Sequence, residues 1–221
     1  MRRYSLLSCL LAITFLACAQ KKSIKEPGDM PIPKGIKTET ATFAGGCFWC
    51  TEAQFQYLDG VLKVKSGYSG GTVANPSYAE VCTGTTGHAE AIQVTYDPSK
   101  ITYVELLEAF WQSHDPTQLN RQGPDEGPQY RSAIFPGSDE QAAIAKAYIT
   151  QLMDAGLFGA PIVTTLEPGK AFFRAEDHHQ DFLERNPSNS YIAAHDLPKL
   201  AQFKRLFPEL YRARPILVGV E

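Results

Sequence analysis

Cys47 and Cys50 stand three residues apart in the run Gly45-Gly46-Cys47-Phe48-Trp49-Cys50. A short strand-like run, Thr40 to Phe43, leads into the two glycines. From Cys47 the apolar spacing turns helical, with Phe48, Phe55 and Leu58 on it. Cys47 therefore falls at a helix start, where unpaired backbone N–H groups and the positive end of the helix dipole favour a thiolate. Cys50 lies one turn further on, on the same side. Redox or nucleophilic chemistry fits this pair, with Cys47 as the exposed nucleophile and Cys50 as its close partner. Two plainer readings stand beside it. A zinc site would need Cys82 and a His as further ligands, yet the chain has no second C-x-x-C and no H-x-x-H. A buried structural pair would run against the two-glycine approach and the helix start.

Phe48 and Trp49 fill the gap between the cysteines. Core packing is the ordinary use of such residues, but part of a helical turn must face outward beside Cys47. An aromatic wall there suits a methyl group or a thioether sulfur. In the run His88 to Tyr96, Ile92, Val94 and Tyr96 share one face, and Glu90 is in register with them. A carboxyl turned to the apolar side stays protonated and is a candidate general acid; at a strand end it would instead escape to water. Tyr78 follows Asn75-Pro76-Ser77 and Tyr130 ends a Gly/Pro-rich stretch, so both read as loop or rim residues. His178 and His179, being adjacent, point different ways and make a poor metal pair, with at least one of them solvated. Asp125 and Glu126 read the same way, as solvated loop carboxylates.

These residues need elements to hold them. Val61 to Tyr68 and Ala89 to Asp97 read as strands, as do Ser132 to Phe135 and Ile162 to Leu166. Thr102 with Glu105 forms a capping box for a helix carrying Leu106, Leu107, Phe110 and Trp111. Ser138 with Gln141 starts a helix through Met153 that Gly156 closes. Glu176 to Leu183 and Leu197 to Phe207 look helical, and 115–130 reads as a long functional loop. Strands alternate with helices, and some strands alternate in polarity as half-covered sheets do. The pattern predicts an α/β (α+β) fold: a two-layer sandwich with a mixed β-sheet and a ferredoxin-like core with added loops and helices.

The 221 residues are 43% hydrophobic and 20% charged with a net charge of -3, an ordinary globular balance that gives no sign of nucleic-acid binding. The first 17 residues read as an export signal: Arg2 and Arg3, then an apolar core from Leu6 to Ala17. Leu16-Ala17-Cys18 resembles a lipoprotein cleavage box, which would make Cys18 a lipid-anchored first residue; Ala17-Cys18-Ala19 also satisfies ordinary secretion. Residues 18–38, with lysines and prolines and no apolar period, read as a tether. The domain spans 39–212, and 213–221 forms a C-terminal tail. With Cys9 inside the signal, only Cys47, Cys50 and Cys82 of the five cysteines remain in the domain, too few for a disulfide scaffold.

Taken together, several runs resemble the peptide methionine sulfoxide reductase A family. They are Gly46-Cys47-Phe48-Trp49, Gly67-Tyr68-Ser69-Gly70-Gly71, Asn75-Pro76-Ser77-Tyr78, Gly87-His88-Ala89-Glu90-Ala91, His114-Asp115-Pro116, Asp125 to Ser132 and Glu176 to Gln180. The likeness covers about residues 40 to 211, in fixed order. It implies that Cys47 is the nucleophile, that Phe48 and Trp49 hold the substrate methyl, and that Glu90 protonates the sulfoxide oxygen. It further implies that Tyr78 and Tyr130 hydrogen-bond that oxygen, with Asp125 and His179 in support. Many members carry resolving cysteines in a C-terminal tail; this chain has none after Cys82. The resolving role then falls on Cys50, as in a subgroup with G-C-F-W-C, and Cys82 reads as a buried structural thiol. No metal and no bound organic cofactor are expected. The reductant would be an external thioredoxin-type dithiol, and the substrate methionine-(S)-sulfoxide, free or in proteins. The protein is expected to be a monomer, on the periplasmic or cell-surface side, held at a membrane by the lipid. Rival readings are a thioredoxin-like disulfide exchanger, a cysteine hydrolase and a non-catalytic binding module.

Overall fold

The computed structural model describes residues 35–219. The export signal, Cys18 and the tether up to residue 34 lie outside the described residues. No helix among the described residues is long and apolar enough to cross a membrane.

In chain order the elements are β1 (Glu39–Gly45), α1 (Phe48–Gln56), β2 (Val61–Ser69), α2 (Tyr78–Cys82), β3 (Ala89–Tyr96) and α3 (Tyr103–Ser113). Then come β4 (Arg121–Gln122), β5 (Asp125–Glu126), β6 (Ser132–Ile134), α4 (Asp139–Asp154), β7 (Thr165–Leu166), β8 (Phe172–Arg174), α5 (Phe182–Arg185) and α6 (Leu197–Leu206). A six-stranded sheet runs β7-β6-β1-β3-β2-β8. Its pairs are antiparallel except β6 with β7, so the sheet is mixed, as the pattern predicts. The inner order β6-β1-β3-β2, with α1 and α3 as crossovers, is the ferredoxin-like arrangement.

The alternation of β3 works as read. Ile92, Val94 and Tyr96 are buried in the main core with Phe43, Phe48, Phe55, Leu106 and Phe110. Thr102 and Glu105 form both halves of the capping box that starts α3, and its buried face carries Leu106, Leu107, Phe110 and Trp111. These apolar side chains, each contributing roughly 1.5–3 kcal/mol on burial, fix the central strand against the helix layer.

Four expectations need correcting. Tyr78 is not on a loop: it opens α2, whose Ser77–Glu80 capping box is complete. The stretch 115–130 contains the β4–β5 hairpin and a 3₁₀ turn over Pro128–Tyr130. The helix read over Glu176 to Leu183 breaks into a 3₁₀ turn (Asp177–His179) and α5, because Asp181 between them takes a left-handed φ of 54°. Only Thr165–Leu166 of the strand read at 162–166 pairs. β8 was not anticipated; it adds to the β2 edge.

The segment after α6 is docked through residue 219. Arg212 donates to the carbonyls of Leu58 and Val61 at 2.6 and 2.9 Å. The Ile216 N–H donates to the Gln56 carbonyl at 3.0 Å. The Val218 and Gly219 N–H groups each donate to the Asp181 carboxylate at 3.0 Å. The same carboxylate accepts from Gln56 at 2.8 Å, and Glu52 on α1 accepts from the Asp181 N–H at 2.8 Å. The left-handed turn at Asp181 thus aims its carboxylate at the end of the chain.

Candidate active site

Gly46 makes the turn from β1 into α1. Its φ is +92°, and a Cβ placed there would sit 2.6 Å from the Gln122 side chain, so no other residue fits without displacement. The turn puts Cys47 at the N-cap of α1, with its own side chain making no cap bond.

Glu90 is 2% exposed, and its Oε2 accepts the Phe48 N–H at 3.0 Å. The carboxyl therefore lies beside Cys47, across the N-terminus of α1. Burial lifts its pKa to about 8, with the Phe48 N–H opposing and the Asp125 charge adding. It is therefore a neutral acid near pH 7, as a buried carboxyl without a cation should be.

Cys47 departs from expectation. The Trp49 N–H does favour its thiolate, as the helix start requires. Burial outweighs this, and the charges of Glu90 and Asp196 push the same way, so the thiol pKa stands well above its ordinary value. The resting sulfur is a neutral thiol. Keeping Glu90 protonated removes one of the charges that oppose its ionisation.

Around the sulfur lies an aromatic wall. Phe48 is buried, 5.9 Å from the Tyr68 ring and 5.2 Å from His179 between centroids. Half-buried Trp49 stacks on Phe182 at 3.8 Å with 13° between planes, and meets the edge of Tyr191 at 6.1 Å. Its Nε1–H donates to His179 Nδ1 at 3.1 Å, which fixes the proton of a neutral His179 on Nε2. Burial and His178 hold His179 down at about 4, with Glu176 opposing, so it is uncharged at neutral pH. His178 is exposed. The Tyr78 ring packs on His179 at 4.4 Å.

Tyr78 and Tyr130 are both half-buried. Burial raises both phenols, and the nearby charges of Glu90 and Cys47 raise them further. Both hydroxyls are therefore protonated, and both lie close enough to Glu90 and Cys47 for those groups to act on them. Asp125, on β5, accepts a short hydrogen bond from the Tyr191 hydroxyl.

Cys82 is exposed, with its thiol against the Tyr78 hydroxyl, which overturns its reading as a buried structural thiol. All three described cysteines are free thiols. No cluster of three or more His, Cys, Asp or Glu among the described residues could hold a metal ion.

Sequence reasoning missed three residues here. Glu176 ties the wall together, accepting from the Tyr68 hydroxyl at 2.9 Å and from the Tyr78 N–H at 2.8 Å. Tyr191 lies close enough to Cys47 to couple with it electrostatically and touches both Trp49 and Asp125. Asp196 is fully buried beside Cys50. None has a local signal: Tyr191 stands in a polar run, and Asp196 before Leu197-Pro198 looks like a helix cap.

Comparison with known proteins settles the class. The family model described as peptide methionine sulfoxide reductase matches residues 39–210. The peptide methionine sulfoxide reductase MsrA 2 of Mesorhizobium japonicum is 56% identical over 82% of this chain and 93% of its own. The MsrA of Deinococcus radiodurans is 53% identical over 80% of this chain and 86% of its own. Among solved structures, reduced Mxr1 from Saccharomyces cerevisiae aligns with a TM-score of 0.61 and 40% identity, covering 72% of this chain and 93% of that one. Methionine sulfoxide reductase A of Corynebacterium diphtheriae aligns at 0.60 with 37% identity, covering 74% and 77%. The chain belongs to the peptide methionine sulfoxide reductase family. It is an enzyme that reduces methionine sulfoxide.

Proposed function

We propose that this enzyme reduces methionine-(S)-sulfoxide, free or in proteins, through a sulfenic acid on Cys47 that Cys50 resolves. The observation that carries this reading is the neutral Glu90 carboxyl bound to the Phe48 N–H, one residue from the Cys47 thiol and inside an aromatic wall. The substrate methyl lies against Phe48 and Trp49, while Tyr78, Tyr130 and Glu90 point donors at the sulfoxide oxygen. Asp125 acts through Tyr191, and His179 steadies Trp49.

Cys47 sulfur attacks the sulfoxide sulfur. Glu90 protonates the sulfoxide oxygen and regains a proton from the Cys47 thiol, and the hydroxyl then passes from the substrate sulfur to the Cys47 sulfur as the transient sulfur–sulfur bond breaks. The net change turns thiol and sulfoxide into sulfenic acid and thioether. Cys50 then displaces the hydroxyl of the sulfenic acid, giving water and a Cys47–Cys50 disulfide. A thioredoxin-type dithiol reduces that disulfide by exchange. No metal or bound organic cofactor takes part. We further propose that the protein is an exported monomer that repairs oxidised exported proteins, anchored through a lipid on Cys18.

An epimer-resolved assay with thioredoxin tests the reaction. The S epimer should be consumed and the R epimer left, and Cys47→Ser should consume neither; loss of the R epimer, or activity in Cys47→Ser, refutes the reading. Mass spectrometry of the mature N-terminus tests the anchor: an acylated Cys18 is expected, and a chain beginning after Ala19 excludes it.

A further inference from the structure

Asp196 is an acid whose local role is left vacant. It stands at the N-cap of α6, at the end of a π-helical turn over Ile192–Asp196. An aspartate there ordinarily accepts from the N–H groups of the first turn, yet its side chain makes no cap bond. The residue is 0% exposed, and both carboxylate oxygens lack a conventional hydrogen-bond donor. A buried carboxylate with both oxygens unpaired calls for a functional reason. The group it faces is the Cys50 thiol, which is itself 4% exposed. A π-helical insertion of this kind often marks a functional position; here it carries Asp196 against α1.

This juxtaposition solves a difficulty in the proposed cycle. Cys50 can attack only as a thiolate, but burial and the Asp196 charge both push its thiol up. Without a base beside it, the resolving sulfur would stay neutral. We propose that Asp196 is the general base for Cys50, taking its proton as the Cys47–Cys50 bond forms. The inference rests on Cys50 being the resolving thiol. In the step, the Cys50 proton passes to an Asp196 oxygen. The Cys50 sulfur bonds to the Cys47 sulfur, and the Cys47 sulfur–oxygen bond breaks. The oxygen leaves as water with a proton from Glu90. Cys47 is reduced from sulfenic acid to disulfide, and Cys50 is oxidised from thiol to disulfide.

The pH range follows. Burial lifts Asp196 to about 6, with Lys199, the Cys50 thiol and His195 opposing and Asp125 adding to the rise. Below that value the acceptor is filled. Disulfide formation should therefore slow about tenfold for each pH unit below 6.

The test mixes the full chain with methionine sulfoxide without reductant, quenches with dimedone and an alkylating agent, and maps Cys47 and Cys50 by mass spectrometry. In wild type the Cys47–Cys50 disulfide should form with a rate that falls below pH 6, as sulfenic acid accumulates. Asp196→Asn should still release its first methionine, which also reports folding. Its disulfide should form at least about a hundredfold more slowly, without the fall near pH 6. Cys50→Ser should trap the sulfenic acid. Should Cys50→Ser be blocked while Asp196→Asn forms its disulfide at the wild-type rate, Asp196 is not the base. Should Cys50→Ser still lose its sulfenic acid to an internal disulfide, the Cys50 assignment fails and the inference with it. A wild-type rate that is flat from pH 5 to 8 overturns the proposal even if Asp196→Asn does not fold.

Discussion

Replacing Glu90 by Gln changes the acid while keeping the shape. The carboxyl is 2% exposed, and its Oε2 accepts one N–H, from Phe48; the amide oxygen of Gln can accept the same bond. Burial moves the carboxyl from 4.5 to about 8, a preference for the neutral form of about 5 kcal/mol at 1.36 kcal/mol per pH unit. At pH 7 roughly nine molecules in ten therefore carry a neutral acid, and Gln replaces one neutral group by another. The stability link has a definite sign. The folded value lies above the unfolded one, so Glu90 favours the fold fully below about pH 4.5, and this contribution is lost as pH rises through about 8. The chemical step should behave otherwise. A proton donor at the sulfoxide oxygen is worth roughly 10²–10⁴ in rate, about 3–5 kcal/mol of barrier. A quenched single turnover without reductant, counting methionine per enzyme from pH 5 to 10, measures it. Wild type should hold its rate up to about pH 8 and then fall; Glu90→Gln should be slower by that factor and keep no fall near pH 8. A Gln variant within threefold of wild type, or one that still falls near pH 8, would remove Glu90 from the reaction.

Tyr78→Phe and Tyr130→Phe should each lower the single-turnover rate about tenfold, the loss of one hydrogen bond of 0.5–1.5 kcal/mol or slightly more to a developing charge. Rates of either variant equal to wild type would show that its hydroxyl serves only its resting neighbours. Asp181→Asn should lower stability by about 2–3 kcal/mol, since a buried acceptor of several N–H groups is altered. Denaturant melts and hydrogen exchange at Val218 and Gly219 would show it; unchanged protection there would mean that Asp181 does not hold the chain end.

Glu90 was legible because strand periodicity is local: once Ile92, Val94 and Tyr96 face the core, residue 90 must face it too. Cys47 was legible from the two glycines before a helical pattern. The direction of its pKa was not. The helix start is a local signal, but the burial that outweighs it comes from the rest of the fold. Tyr78 was misplaced because α2 is five residues long and its capping box sits among Gly, Asn and Pro. The break at Asp181 was hidden because its reason lies at residues 218 and 219, far along the chain. Asp196 was hidden for the same cause: locally it reads as a cap, and only the fold turns it to Cys50.

A sulfur held neutral by its surroundings has a chemical benefit in an oxidising milieu. Peroxides and alkylating agents react with thiolates, and reactivity follows the ionised fraction and access. Cys47 at rest is partly exposed, but it offers little of the ionised form. A substrate whose oxygen engages Glu90 changes the charges around the sulfur at the moment reaction is wanted. On the proposed mechanism, Cys47 would thereby be kept dormant toward the oxidants that create its substrate and would wake on contact with the lesion itself.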